Sequence, residues 1–191
     1  PAKVKENIIQ KSIYGVDIEK GAVDIARLRF WLSLVVDEEM PKPLPNLDYK
    51  IVVGDSLISK YDDDIINIDW DIKYKNAVGV EKIITDQQVK LHLLQSKQAL
   101  YFTAVGNKSK LRKDIEVLKA QVLLNQLMLT KISFEQKNPK LGGFAPTGKD
   151  TLKNLENQVI LAGYNKTIKK LAAFTGSESL DFFDWKLNFP E

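Results

Sequence analysis

Two short apolar runs, each stopping on a carboxylate, constrain this chain more than any other feature. The first is Ile13-Tyr-Gly-Val-Asp17, with Ser12 leading into it, and the second is Ile51-Val-Val-Gly-Asp55. Runs this short and this apolar have the length and make-up of strands buried in a parallel sheet. Between them, Glu19-Lys20 leads into a segment whose apolar positions are Ala22, Val23, Ala26, Leu28, Phe30, Trp31, Leu34 and Val35. That is a broad stripe at helical spacing, suited to packing on a sheet. After the acids Asp37, Glu38 and Glu39, Pro41, Pro43 and Pro45 stop the helix, and Asn46-Leu-Asp predicts a turn before a strand over Tyr49–Val53. Strand, helix and strand form one βαβ unit, expected to be parallel and right-handed. In open parallel sheets ligands sit beyond the carboxyl ends of the strands, where Asp17 and Asp55 stand. Two acids there can accept hydrogen bonds from ribose hydroxyls and from an exocyclic amine. The competing role for Asp17 is a cap on the helix that follows it.

Most of the rest of the chain reads as helical, with residues 65–76 fitting no single pattern. Residues 2–10 predict the last turns of a helix, with Val4, Ile8 and Ile9 on one face. Two long helices are expected at about Val80–Val105 and Ser109–Gln136, joined at Gly106-Asn107-Lys108. The second carries a seam of Leu111, Ile115, Leu118, Val122, Asn125, Leu129 and Ile132; the first carries Val80, Ile84, Leu91, Leu94 and Tyr101. Spacings of four and three give an antiparallel helical hairpin of coiled-coil type, with Asn125 as its one polar position. Asn138 to Gly148 predicts a loop. A helix over Thr151–Leu161 is expected to break at Gly163, and a short one to follow over Lys166–Phe174. Residues 180–191 predict an extended aromatic tail.

Composition removes several kinds of chemistry. The chain has no cysteine, hence no disulfide and no thiolate metal site. His92 is the sole histidine and lies inside a predicted helix, so neither a nucleophilic triad nor a zinc site is supported. Asp62-Asp63-Asp64 reads as a solvated loop, and no metal ligand is assigned. Gly148-Lys149-Asp150 is the nearest approach to a phosphate loop and lacks its Ser/Thr. No apolar run approaches the ~18 residues of a membrane span, and a cytoplasmic protein is expected. Charge is uneven. Residues 1–72 hold 9 Lys/Arg against 14 Asp/Glu, residues 73–140 hold 13 against 5, and residues 141–191 hold 6 of each. The basic middle suits a polyanion, and Lys108, Lys110, Arg112 and Lys113 at the hairpin turn are candidate contacts to a DNA backbone. A lysine-rich solvated helix surface explains the same charges without a partner.

Three segments carry a family resemblance. Ile13-Tyr-Gly-Val-Asp-Ile-Glu-Lys-Gly-Ala-Val-Asp-Ile-Ala-Arg-Leu-Arg-Phe-Trp-Leu-Ser-Leu34 resembles the second motif of adenine-specific DNA methyltransferases of restriction–modification systems, including the bifunctional type II enzymes. Val52-Val-Gly-Asp-Ser-Leu57 is similar to their third motif. Phe183-Asp-Trp-Lys-Leu-Asn-Phe-Pro-Glu191 resembles the segment ahead of their catalytic Asn-Pro-Pro-Tyr. The resemblance implies an α/β fold, part of a class I (Rossmann-like) methyltransferase sheet with a large, mostly helical insertion. Residues 1–64 would form part of an S-adenosylmethionine-binding unit, 65–179 the insertion, and 180–191 the lead-in to the catalytic motif. It further implies that Asp17 binds both ribose hydroxyls, Ile18 packs on the adenine, and Asp55 accepts from the adenine amino group. Ser56 and Leu57 would border the same ring. The substrate would be double-stranded DNA with a flipped adenine, acted on beside a nuclease activity.

Neither a glycine-rich first motif nor Asn-Pro-Pro-Tyr occurs in the chain. A fragment between the first and fourth motifs is therefore expected, with no catalytic residue of its own and no methyl transfer in isolation. The rival reading makes the hairpin an interaction or spacer module that binds DNA backbone or a protein. Exposed sheet edges or the hairpin would also permit self-association.

Overall fold

The computed structural model describes residues 2–36, 43, 45–61, 64–66, 68–72, 79–138 and 148–190. The predicted acidic run Asp37–Glu39, Pro41, Asp62-Asp63 and most of the loop after Asn138 lie outside those residues. Chain order is α1 (Ala2–Ser12), β1 (Gly15–Asp17), α2 (Lys20–Val35), β2 (Ile51–Val53), β3 (Lys60–Tyr61), β4 (Asp64–Ile65), α3 (Val80–Thr103), α4 (Lys108–Lys137), α5 (Gly148–Ala172) and α6 (Trp185–Asn188).

β1 and β2 pair in parallel, with Gly15 opposite Ile51, Val16 opposite Val52 and Asp17 opposite Val53. Both strands are shorter than expected. α1 continues to Ser12 and takes the start of the first run. Asp48–Lys50 form a turn in which the Lys50 and Ile51 amides both donate to the Leu47 carbonyl at 2.9 Å. α2 lies on the pair, buries Val23 and Leu34, and sends the Arg27 guanidinium to the Ile51 carbonyl at 2.6 and 2.9 Å. That long polar reach satisfies a strand carbonyl that no strand among the described residues takes. β3 and β4 form a separate two-residue antiparallel pair.

α3 and α4 form the expected antiparallel hairpin. Gln87 donates to Gln126 and Asn125 to Asp86, both at 2.7 Å, while Lys97 meets Asp114 at 2.7 Å. Partners therefore rise along one helix as they fall along the other. Asn125 is buried and polar as expected, and the adjacent Gln87–Gln126 pair joins it in a polar layer. α4 is not one wall of a two-helix coil, however. Beyond its seam it also buries Glu116, Lys119, Ala120, Leu123, Leu127, Thr130 and Ser133. The second buried face exists because α5 and residues 180–188 pack against it. One cluster accordingly joins Tyr49, Ile66, Leu94, Leu118, Leu123, Leu171, Phe182 and Leu187. A smaller cluster of Ile9, Leu34, Leu47 and Phe102 ties α1 and α2 to the end of α3.

Two local expectations fail. α5 runs unbroken through Gly163, where a Cβ would meet nothing within 4 Å. A solvent-facing helical glycine costs only about 1 kcal/mol relative to alanine. Tyr164, Ile168 and Leu171, packed on the core just beyond it, carry the helix through. The tail is not extended throughout, because residues 185–188 make a helical turn. The Asp184 carboxylate caps that turn by accepting from the Leu187 amide at 3.0 Å, and Leu187 is fully buried.

Candidate functional site

Asp17 and Asp55 stand at the carboxyl ends of the two paired strands, Asp17 opposite Val53 and Asp55 two residues beyond it. The Gly54 amide donates to the Asp17 carbonyl at 3.0 Å, which continues the ladder one residue past β2. Each acid shapes its own turn. Asp17 Oδ1 accepts from the Glu19 amide at 2.8 Å, two residues on, and the N-cap position of α2 is Glu19 rather than Asp17. Asp55 Oδ1 accepts from the Leu57 and Ile58 amides at 2.9 and 3.1 Å. Those two backbone donors hold the Asp55 carboxyl below its usual range, so it is ionised at neutral pH. On both acids Oδ2 has no partner among the described residues. Ile18 and Leu57, next to the two acids, leave apolar side chains 68% and 91% exposed. The strand ends thus offer two acceptor oxygens and uncovered apolar surface together.

Gly54 explains why glycine precedes the second acid. A Cβ there would lie 2.6 Å from Cβ and Cγ of Phe183. The tail docks against the strand end at that spot. The Ser59 hydroxyl donates to the Phe183 carbonyl at 2.9 Å, and the Trp185 indole N–H donates to the Ser56 carbonyl at 3.1 Å. Phe183, Trp185 and Phe189 pack edge to face or tilted, with centroids 5.4 to 6.2 Å apart, and Phe189 reaches Tyr14 at 4.7 Å. Ser56 therefore takes part in the site through its carbonyl, which holds the tail.

A cleft of about 910 Å³ extends from Ile18 and Asp55 to α4. Its far wall carries Arg112, Glu116 and Lys119, spaced by four and three and so on one helix face. Glu116 is only 3% exposed. It accepts from the Tyr49 hydroxyl at 3.1 Å and the Leu180 amide at 2.7 Å. Burial, reinforced by Glu116, pushes the Tyr49 phenol well up. Burial and the Asp48 carboxylate push Tyr101 up to about 12. Burial pulls the Lys119 ammonium down, against the attraction of Glu116. None of Glu116, Lys119 or Asn188 was expected at a site. On sequence they look like solvent-facing residues of a two-helix coil and its tail, and only the packing of the tail on α4 encloses them. Of the four basic candidates at the hairpin turn, Arg112 lines the cleft, while Lys108, Lys110 and Lys113 are exposed and do not. His92 is exposed on α3. Among the described residues no group of three or more potential ligands could hold a metal ion, and no helix is long and apolar enough to cross a membrane.

Residues 11–191 match the family described as Eco57I restriction-modification methylase. The chain belongs to that family. The resemblance carried by the strand-end motifs is thereby borne out at the level of a restriction–modification methylase. Over 69 residues the chain is 42% identical to an inferred type II restriction enzyme and methyltransferase of Methanocaldococcus jannaschii. That match covers 33% of this chain, and the chain spans 6% of the length of the relative. No solved structure matches the Eco57I-family chain.

Proposed function

We propose that this Eco57I-family chain supplies part of the S-adenosylmethionine pocket of a DNA adenine-N6 methyltransferase in a restriction–modification system. The observation that carries the proposal is the Gly54–Asp17 hydrogen bond, which sets two carboxylates at neighbouring strand ends. In this reading β1 and β2 are two strands of a larger class I sheet, and residues 65–179 are a helical insertion in it. The cofactor's nucleoside fits what is there. Asp17 Oδ2 is open to ribose hydroxyls, and Asp55 Oδ2 is open to the adenine amino group. Ile18 and Leu57 supply apolar surface for the ring, and Ser56 borders it while its carbonyl fixes Trp185. The ionised state of Asp55 strengthens a hydrogen bond from an amine. When bound, the cofactor supplies the methyl group. This chain's residues bind and orient its nucleoside end.

Methyl transfer also requires the target amine to be positioned, and the chain has no Asn-Pro-Pro-Tyr to do so. The isolated chain is therefore expected to transfer no methyl groups to duplex DNA. Equilibrium dialysis with radiolabelled S-adenosylmethionine tests the pocket. Asp17→Ala and Asp55→Ala should each weaken binding about tenfold or more, the worth of a charged hydrogen bond. Undiminished binding by both variants refutes the assignment. Addition of duplex DNA and counting of precipitated label tests the second expectation, and label on the DNA refutes it.

A further inference from the structure

Of the acids lining the cleft between β2 and α4, Glu116 and Asp48 are engaged, Asp55 leaves Oδ2 open and Asp181 has no partner among the described residues; of its cations only Arg27 is fully held. Glu116 uses both oxygens, one on Tyr49 and the other on Leu180 and Ser179. Asp48 accepts from the Tyr101 hydroxyl at 2.8 Å and pairs with Arg27 at 3.2 Å. Arg27 is itself held by the Ile51 carbonyl. By contrast, the side chains of Lys20, Lys60 and Arg112 make no hydrogen bond or contact ion pair with any described residue, although all three line the cleft.

Lys119 is the deepest of the cations. It is 5% exposed and gives one proton to Asn188 Oδ1 at 2.6 Å, with the Tyr49 ring 5.1 Å away. An ammonium carries three donors, and the other two have no acceptor among the described residues. A buried cation short of acceptors, one helical turn pair from a free guanidinium, is an arrangement that an anion completes.

We infer that this cleft binds a phosphate group, with Arg112 providing the planar fork and Lys119 the buried point charge. Glu116, between them on the same face of α4, holds the wall in place through Tyr49 and Leu180. The volume suits a nucleotide-sized ligand. The phosphate comes either on a nucleic-acid backbone or on a free nucleotide, and the same donors serve both. The cleft also carries Ile18 and Asp55 of the proposed cofactor site, but the inference rests on Arg112 and Lys119, at its far wall, and not on the methyltransferase assignment.

Calorimetric titration of the whole chain with sodium pyrophosphate tests the inference. Saturable binding is expected, weakened about tenfold or more by Arg112→Gln. Arg112 is exposed, so this variant folds. Lys119→Gln should weaken binding by as much if it folds. Lys153→Gln, an equal charge change on α5 outside the cleft, should leave binding unchanged. Competition between pyrophosphate and a short labelled DNA duplex, lost in Arg112→Gln, identifies the backbone as the source. Arg112-dependent pyrophosphate binding that the duplex does not disturb identifies a free phosphate ligand. Absence of pyrophosphate binding overturns the inference, and so does an equal loss in Arg112→Gln and Lys153→Gln, which would mark diffuse charge.

Discussion

Substitution of Gly54 by alanine probes the contact that joins the tail to the strand ends. The added Cβ would stand 2.6 Å from Phe183 Cβ and Cγ and 2.8 Å from Cδ2. Three carbon atoms of one buried side chain would then be more than 0.5 Å inside contact distance. Overpacking of this kind costs roughly 1–3 kcal/mol. Because Phe183 is only 6% exposed and cannot swing into solvent, the upper end of that range applies. Loss of glycine's freedom in the unfolded chain returns about 0.4–1 kcal/mol. The net expectation is a loss of about 2 kcal/mol, or about 4–8 °C in Tm for a domain of this size. Urea unfolding followed by far-UV circular dichroism measures it. Phe183→Ala should itself cost about 3–5 kcal/mol. In the Phe183→Ala background the contacts with Cγ and Cδ2 are gone and only that with Cβ remains, so Gly54→Ala should cost less there than in the native chain, a coupling of about 1 kcal/mol. A neutral Gly54→Ala, or strictly additive effects, would show that Phe183 does not sit on Gly54 and would remove the tail from the site.

Three further expectations follow from local geometry. Gly163→Ala should raise stability by about 0.5–1 kcal/mol, since its Cβ enters open space within a continuous helix; thermal unfolding that shows a loss would restore the break. Glu116→Ala should cost about 1–3 kcal/mol for each of the two buried donors it strands, the Tyr49 hydroxyl and the Leu180 amide, read by urea unfolding. Asp55 has a folded pKa below its unfolded value of ~3.9. Its turn therefore adds stability in full above that value and loses it as pH falls through the lowered folded pKa. The stability gap between the native chain and Asp55→Ala should be constant near neutrality and close in acid below about pH 4; a gap that widens in acid contradicts the assignment of those hydrogen bonds.

The strand ends were legible because their signals are local. An apolar run ending in Val-Asp or Val-Gly-Asp, with a helix between, carries its own geometry, and the parallel register puts Asp17 beside Val53 as that pattern requires. The hairpin was legible for the same reason, since a seam spaced by four and three records one neighbour. The second buried face of α4 left no such trace. Glu116, Lys119 and Gln126 are polar residues buried on α4, and each has a partner distant in sequence: Leu180, Asn188 and the Asp69 carbonyl. Gly163 misled because glycine reports backbone freedom, not whether packing on either side overrides it. The helical turn at 185–188 was hidden in an aromatic segment too short for periodicity, although Asp184, three residues before the buried Leu187, is its capping signal.

The central claim is that Asp17 and Asp55 read the two ends of a nucleoside, and ligand-observed NMR titration of the chain with adenosine and its analogues tests it most directly. Adenosine should bind more tightly than 2′-deoxyadenosine to the native chain, and the preference should vanish in Asp17→Ala. Adenosine should also bind more tightly than purine riboside, which lacks the amino group, and that preference should vanish in Asp55→Ala but persist in Asp17→Ala. Preferences that survive both substitutions, or a native chain indifferent to the hydroxyl and the amine, would contradict the account.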